Sequence, residues 1–449
     1  MTLMFTASGI RGIYGDSLTV DLVCRLTKVF VREWNVRSVI VGRDTRPSGE
    51  PLEHAVVSSL IESSCKVYMA GVQPTPIILW ACRKMRVDGA IIITASHNPP
   101  EWNALKFASI GGLLLDDSDI NKLRSAVYGG ACEKNSVSRL GRSLAFDPLN
   151  QYIDAALRHL NVKAISKCNL KVVIDPGGGA GFKATPMLLR RLGCRVITIN
   201  SAPGIFSRRI EPTPDALKEL SMAVKAYNAD VGFAHDADAD RLVCVTDEGE
   251  VLAEDYGLAI ASLHVLSSRK GPLVVNVASS MIFKWIAEQM GVKVYWSPVG
   301  EAKVVRAIIE HKAPIGGEGS SGGIIPAFFN LARDGVFGAA LIVEALALRE
   351  CKMSDIVKSL PKYYQARDAI PCSPSRYETV MTRLINEVKD MDVDLTDGVK
   401  IWLKDRWVLI RPSQTEPKIR ILCEATSKDK AHDLLEEYKR LIEGFIEGK

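Results

Sequence analysis

The sequence predicts an α/β protein of four domains, three related mixed α/β units and a C-terminal α+β unit, set around a central cleft. Three observations carry this expectation. Short runs rich in Val and Ile, flanked by turn residues, alternate with amphipathic stretches of helical period, which is the pattern of βαβ units. That rhythm repeats three times and then changes from about Arg376 onward. The chain has 449 residues, several times the roughly 150 that one domain organises.

In the first unit, residues 1–145, Ser38 to Val41 and Ala90 to Thr94 read as buried strands with a helix from Leu52 to Ser63 between them. Polar residues from Cys132 to Ser143 read as a linker. The second unit, 146–252, runs through a strand at Lys171 to Asp175, a turn at Pro176 to Gly181, a helix to Leu192 and strands at Arg195 to Ile199 and Asp230 to Ala234. The third, 253–365, has strands at Leu273 to Val277 and Lys293 to Trp296, a helix near Met281 to Gln289, and reaches Ile315 before a Gly/Ser-rich turn. The fourth, 366–449, reads as helix Tyr377 to Lys389, strands at Val399 to Leu403, Trp407 to Arg411 and Lys418 to Ala425, and helix Ala431 to Ile442.

Composition narrows the function. With 47% hydrophobic and 24% charged residues the chain is an ordinary folded one, and a net charge of +5 with both signs interspersed gives no nucleic-acid footprint. No apolar run approaches the ~20 residues of a membrane helix and no secretory leader is visible, so the expectation is a cytoplasmic protein without a membrane partner. Ten cysteines without metal or redox spacing read as reduced thiols.

Each unit carries one polar cluster at the end of a strand, where open α/β sheets bind ligands. They are Thr94-Ala-Ser-His-Asn-Pro99, Asp236-Ala-Asp-Ala-Asp-Arg241, Gly316-Gly-Glu-Gly-Ser-Ser-Gly322 and Arg411-Pro-Ser-Gln-Thr-Glu-Pro417. One cleft shared by four domains explains the distribution. Asp236, Asp238 and Asp240 repel one another unless a cation gathers them, and hard oxygen ligands at this density suit Mg²⁺. A haloacid-dehalogenase type of phosphotransferase, with the first Asp as nucleophile, is the rival reading, weakened because such a motif sits at the first core strand and ends in Thr or Val. Ser96 follows a strand, and His97, Asn98 and Pro99 are expected to open a helix whose amides favour a phosphate. Taken alone, Ser96 is a helix cap and Lys106 a surface lysine in a loop.

Together the clusters resemble the α-D-phosphohexomutase superfamily. Residues 94 to 106 follow its serine loop, with Ala104 for the usual Gly, and Gly9 to Gly12 follow its Gly-Ile-Arg-Gly motif, with Thr6 and Ala7 upstream where Gly and Thr are usual. The resemblance implies that Ser96 becomes a phosphoserine and that Asp236, Asp238 and Asp240, with a phosphoserine oxygen, hold Mg²⁺. Arg11 and Arg241 would contact the same phosphate, and His97 and Lys106 would flank the reacting oxygens. Lys106 is the expected general base, its pKa lowered by Mg²⁺, Arg11 and Arg241. Arg411, Ser413, Thr415 and Arg420 would grip the distal phosphate, with Gln414 replacing the family's Asn. Glu318 and Ser320, or Ser321, would hold the sugar on a loop that lacks the His of some members.

The implied activity is a phosphohexomutase that interconverts hexose or hexosamine 1- and 6-phosphates through a phosphoserine and a hexose 1,6-bisphosphate, which also serves as activator. Phosphoglucosamine mutase is the first reading and broad phosphomannomutase/phosphoglucomutase activity the alternative. A non-catalytic sugar-phosphate-binding homologue is the reading of another class, opposed by Ser96, Lys106 and the three aspartates. The expected partners are small hexose phosphates, and a homo-oligomer is compatible with the sequence. Gly177 to Gly181 and Gly71 to Pro76 read as backbone turns without ligands.

Overall fold

The computed structural model describes residues 3–129, 139–413 and 416–447. Its first three units share one four-strand pattern, in which a central strand is flanked by two parallel neighbours and a hairpin strand returns antiparallel beside one of them. In the first, Ser38–Arg43 lies between Lys66–Val72 and Gly89–Ile93, and Trp102–Ser109 returns beside the latter. In the second, Lys171–Asp175 lies between Arg195–Thr198 and Val231–Ala234, with Val243–Thr246 returning. In the third, Leu273–Asn276 lies between Val294–Ser297 and Ile315–Glu318, with Gly323–Ile325 returning.

The expected βαβ rhythm therefore holds, and each sheet is mixed rather than wholly parallel. The first sheet grows to eight strands. Met4–Thr6 and Gly9–Ile13 extend it beyond Trp102–Ser109, and Arg142–Ala145 pairs parallel with the opposite edge. The stretch read as a linker thus ends in a strand, because the edge strand Lys66–Val72 offers unpaired backbone groups that a polar segment can satisfy. Residues 130–138 of that stretch lie outside the described residues.

The C-terminal unit is a five-stranded antiparallel sheet with strands in the order Tyr364–Pro371, Lys418–Ala425, Arg406–Pro412, Val399–Trp402, Asp392–Asp394. Helices Tyr377–Glu387 and Lys428–Glu447 pack into one apolar cluster with its strands. A larger apolar cluster runs through the first three units, and its centre is the pair of helices Glu254–Ser268 and Gly335–Arg349, buried on nearly every face. Such a helix has no polar side to show water, so its amphipathic signal vanishes and only its apolar length marks it. Each fully buried Val, Leu, Ile or Phe there contributes about 1.5–3 kcal/mol, which fixes the three sheets relative to one another.

Candidate active site

The three repeated sheets place their functional loops at one topological position, the hairpin between the last parallel strand and the antiparallel return. Ser96 lies between Gly89–Ile93 and Trp102–Ser109, the aspartates between Val231–Ala234 and Val243–Thr246, and Glu318 closes Ile315–Glu318 just before Gly323–Ile325. Each hairpin turns through a left-handed residue, Ser96 at φ 52°, Ala239 at φ 53° and Gly322 at φ 66°. For the two non-glycine residues this conformation costs about 1–2 kcal/mol, which the surrounding contacts must supply.

At Ser96 the supplier is Arg46, a fully buried residue that no motif announced. Its Nη2 donates to the carbonyls of Ser96 and Asn98, each at 2.7 Å, and its Nη1 to that of Pro99 at 2.6 Å. Asp44 anchors Arg46 Nε at 3.0 Å and accepts Thr94 Oγ1 at 2.6 Å. The helix expected after Ser96 does not form. The guanidinium consumes the carbonyls a helix would use, Pro99 and Pro100 lack amide donors, and the chain enters strand Trp102–Ser109 instead.

That strand carries Lys106 into the interior. The Nζ of Lys106, 2% exposed, lies 2.7 Å from Asp238 Oδ2 and 3.3 Å from Asp240 Oδ2. The expected lowering of its pKa presupposes bound Mg²⁺; the chain's own residues act in the other direction. Burial acts to lower it, but the Asp238 and Asp240 carboxylates outweigh burial and the repulsion from Arg333, so the ammonium is held above its usual range. Lys106 thus neutralises charge on both carboxylates.

The aspartates are all buried, and an oxygen from each lies within 4.8 Å of the others. Asp236 Oδ2 accepts Ser96 Oγ at 2.6 Å, and burial together with its neighbours Asp240 and Asp238 raises its pKa to about 7. Thr75 braces the loop, its Oγ1 donating to Asp238 Oδ2 at 2.6 Å and its amide to the Asp238 carbonyl at 3.0 Å. The turn Gly71 to Pro76 therefore supports the acidic loop directly. Asp238 Oδ1 and Asp240 Oδ1 are buried without a hydrogen-bond partner. Buried polar atoms are rarely left so. Two orphan carboxylate oxygens beside Ser96 Oγ fit a hard divalent cation with oxygen ligands.

Arg241 reaches back to the serine loop, its Nη2 lying 2.7 Å from His97 Nδ1 and its Nη1 3.2 Å from Glu211. The guanidinium can only donate, so His97 Nδ1 accepts and the ring proton lies on Nε2. Burial, then Arg241 and Arg11, push the imidazole well below its usual pKa, so it is neutral. Arg11 Nη1 donates to Asn98 Oδ1 at 2.7 Å, while its Nε has no partner. Ser96, His97, Lys106, Arg11, Arg241 and the three aspartates are thus brought together.

Glu318 joins this centre from the third sheet. Its Oε1 accepts Asn276 Nδ2 at 3.0 Å and the Gly300 amide at 2.8 Å, and its Oε2 faces Arg333 Nη1 at 3.2 Å. Ser321 Oγ turns back to the Glu318 carbonyl at 3.3 Å, while Ser320 lines a separate cavity of about 430 Å³ with Arg367, Arg411, Lys418 and Arg420. Ser320 therefore shares a cavity with the arginines of the C-terminal sheet. Arg411 Nη1 pairs with Asp397 at 2.8 Å, Arg420 Nη2 with Glu416 at 3.2 Å, and Ser413 is buried. Thr415 and Gln414 lie outside the described residues.

A signal for the missed supports was present. The central strand of each repeated sheet ends in, or in the first sheet is followed directly by, a side-chain acceptor, Asp44, Asp175 or Asn276, whose oxygen accepts the amide two residues on, at 2.9, 2.7 and 3.1 Å. Asp44 and Asp175 each hold an arginine, and Arg208 donates to the His235 carbonyl at 2.8 Å as Arg46 does to that of Ser96. All described cysteines are free, and among the described residues no helix is long and apolar enough to cross a membrane.

The four domains of the phosphoglucomutase/phosphomannomutase family match residues 2–130, 150–249, 253–364 and 350–441 in that order. The chain belongs to this family and is a phosphohexomutase, an enzyme that transfers phosphate within its substrate. It is 37% identical to a phosphoglucomutase/phosphomannomutase of Thermococcus kodakarensis, covering 100% of both chains. A probable phosphoglucosamine mutase of the same organism is 34% identical over 98% of each chain. Among solved structures, a family protein of Burkholderia thailandensis superposes with TM-score 0.87 at 26% identity, covering 98% of this chain and 97% of that one. An Aspergillus fumigatus N-acetylphosphoglucosamine mutase in complex with GlcNAc-6P and magnesium shares the fold at TM-score 0.63 and 13% identity, covering 100% of this chain and 96% of that one.

Proposed function

We propose that this phosphohexomutase acts on glucosamine phosphate, exchanging the 1- and 6-phosphates through a phosphoserine at Ser96 and a bound 1,6-bisphosphate. The observation that carries the phosphoserine is the hydrogen bond from Ser96 Oγ to Asp236 Oδ2 at 2.6 Å, beside two orphan carboxylate oxygens. The hexosamine reading is supported by the relatives named probable phosphoglucosamine mutase, at 33–35% identity. The relative named phosphoglucomutase/phosphomannomutase, at 37%, favours a second reading of broad hexose specificity.

In this account Asp236, Asp238, Asp240 and Ser96 hold Mg²⁺, the ion carried by the fungal mutase of the same fold. When bound, the ion supplies Lewis-acid neutralisation of the phosphoryl oxygens. The remaining work falls to side chains. A sugar hydroxyl oxygen forms the new bond to phosphorus as the bond to Ser96 Oγ breaks; the hydroxyl gives up its proton and Oγ recovers one. Lys106, buried against Asp238 and Asp240, gives a proton to Oγ and takes up the one the hydroxyl releases, and neutral His97 donates a hydrogen bond from Nε2. Arg11 and Arg241 neutralise charge developing on the equatorial oxygens. Glu318 accepts sugar hydroxyls, and Arg411, Ser413, Thr415, Arg420 and Ser320 grip the distal phosphate, each end of the sugar taking that place in turn.

The test is a mutase assay with Mg²⁺ and a trace of glucose 1,6-bisphosphate, offering glucosamine, mannose and glucose 1-phosphates in parallel. We expect turnover fastest with glucosamine 1-phosphate and none in Ser96→Ala. Equal rates with all three favour the broad reading, and a Ser96→Ala protein as active as the wild type overturns the phosphoserine.

A further inference from the structure

Arg333 belongs to none of the four motif clusters, yet its guanidinium spans two of them. Nη2 pairs with Asp240 Oδ2 in the acidic loop, Nη1 lies 3.2 Å from Glu318 Oε2 in the sugar loop, and Nε lies 3.2 Å from Glu301 Oε2. The residue is 8% exposed.

Its position is built rather than incidental. The Arg333 amide donates to Glu301 Oε1 at 2.9 Å, and the next residue, Asp334, caps helix Gly335–Arg349 through the Phe337 amide at 2.9 Å. Asp334 also accepts Tyr152 from the second domain at 2.8 Å. Two glycines clear the space. A Cβ on Gly323 would stand 2.4 Å from Arg333 Cδ, and one on Gly335 2.5 Å from the Arg241 carbonyl. Both would clash, the second with backbone.

The partners of Arg333 are the carboxylates that the proposed ligands need. Asp240 Oδ2 is already shared between Arg333 and Lys106, and Oδ1 is orphaned. Glu318 Oε1 is occupied by Asn276 and Gly300, so Oε2, the oxygen on Arg333, is the one open to a sugar hydroxyl. A divalent cation at the aspartates would repel a guanidinium on the same carboxylate and loosen Arg333 from Asp240, freeing it to pair with a bound hexose phosphate. Conversely, a hexose phosphate that draws Arg333 away uncovers Asp240 for the cation.

We propose that Arg333 is a positioning residue through which metal occupancy of the aspartates and hexose-phosphate binding at Glu318 strengthen each other. This rests on the metal and sugar assignments proposed above. By linkage the coupling is reciprocal, and couplings of this kind amount to roughly 5–150-fold in affinity. A purely structural ion pair would lower stability when removed without changing that ratio.

The experiment uses dephosphorylated protein with Ser96 intact, which without a hexose 1,6-bisphosphate has no phosphoryl group to transfer and binds without turnover, and titrates glucosamine 6-phosphate calorimetrically with and without Mg²⁺, then Mg²⁺ with and without the sugar. We expect each ligand to tighten the other about tenfold, with the ratio falling to about one in the dephosphorylated Arg333→Gln protein and to an intermediate value with Arg333→Lys, which keeps the charge but not the fork. Thermal melts establish that each variant is folded, and the lysine variant carries the test if the glutamine one is not. A ratio of one in the parent with Ser96 intact, or an undiminished ratio in a folded Arg333 variant, overturns the coupling. Failure of the parent to bind any of glucosamine, mannose or glucose 6-phosphate overturns the proposed function itself, and the coupling with it.

Discussion

The protein gathers charge at two junctions and builds them on opposite plans. Where the first three domains meet, Asp236, Asp238 and Asp240 crowd with Lys106, Arg241 and Arg333, and nearly every charge is buried against one of opposite sign. Where the third and C-terminal domains meet, the single buried cation, Lys400, makes no ion pair among the described residues. Its Nζ donates to the Val277 carbonyl at 2.7 Å and lies 4.3, 3.9 and 4.0 Å from the ring centres of Trp296, Trp402 and Trp407. The phosphate-loop arginines nearby remain reachable, Arg411 at 18% and Arg420 at 50% side-chain exposure.

The difference teaches what each junction is for. In the first, fixed dipoles and charges are aimed before substrate arrives, which is where electrostatic catalysis gains most. In the second, apolar packing and cation–π contacts hold the domains, leaving Arg411 and Arg420 in exchangeable surface pairs that a phosphate can replace at little cost.

The comparison breaks first at the metal loop. Asp238→Asn should lower kcat by about a thousandfold while leaving the melting transition in place; activity within tenfold of wild type would show the carboxylate to be dispensable. Next comes the buried support. Arg46→Ala leaves Asp44 uncompensated and should cost about 3–5 kcal/mol in denaturant unfolding, whereas a loss below about 1 kcal/mol would mean that the Ser96 loop holds itself. At the looser junction, Arg411→Ala should raise KM for the sugar phosphate by about tenfold with little change in kcat, and an unchanged KM would remove it from the phosphate grip.

Away from the catalytic question lies a pH dependence. Asp255 Oδ1 accepts the Ser280 amide at 3.0 Å, and burial, then Glu424, with Glu254 adding and Lys400 opposing, push its pKa from 3.8 up to about 8. The folded protein therefore binds this proton more tightly than the unfolded chain, so the stabilisation is complete below about 4 and is lost as pH climbs to about 8. Asp255→Asn should flatten that slope in urea unfolding measured from pH 4 to 9. An unchanged slope would place the proton elsewhere.

Much of this was legible in the sequence because the candidate reactive residues sit on hairpins whose strands announce themselves. Lys171 to Asp175 and Lys418 to Ala425 were read to the residue, since buried Val/Ile runs leave little choice of boundary. The strand Trp102–Ser109 was not, because Asn103, Ala104 and Lys106 break the apolar pattern, and the lysine is buried only because a different domain supplies its aspartates. Arg46 was signalled only by Asp44 directly after its strand, and Thr75 and Arg333 were silent for the same reason: each acts on a loop 50 or more residues away or on another sheet, and local pattern carries no trace of such partners. The helix expected after Ser96 failed where a tertiary contact, the Arg46 fork, outbid a local preference.

The most direct test of the whole account is to incubate the protein with Mg²⁺ and glucose 1,6-bisphosphate and map phosphate by peptide mass spectrometry. The account predicts a single phosphoryl group on the Ser96 peptide, removed by excess hexose 6-phosphate and absent in Asp238→Asn. Phosphate on Asp236 instead of Ser96, or a wild-type protein that turns over sugar phosphate without ever carrying phosphate on Ser96, would contradict it.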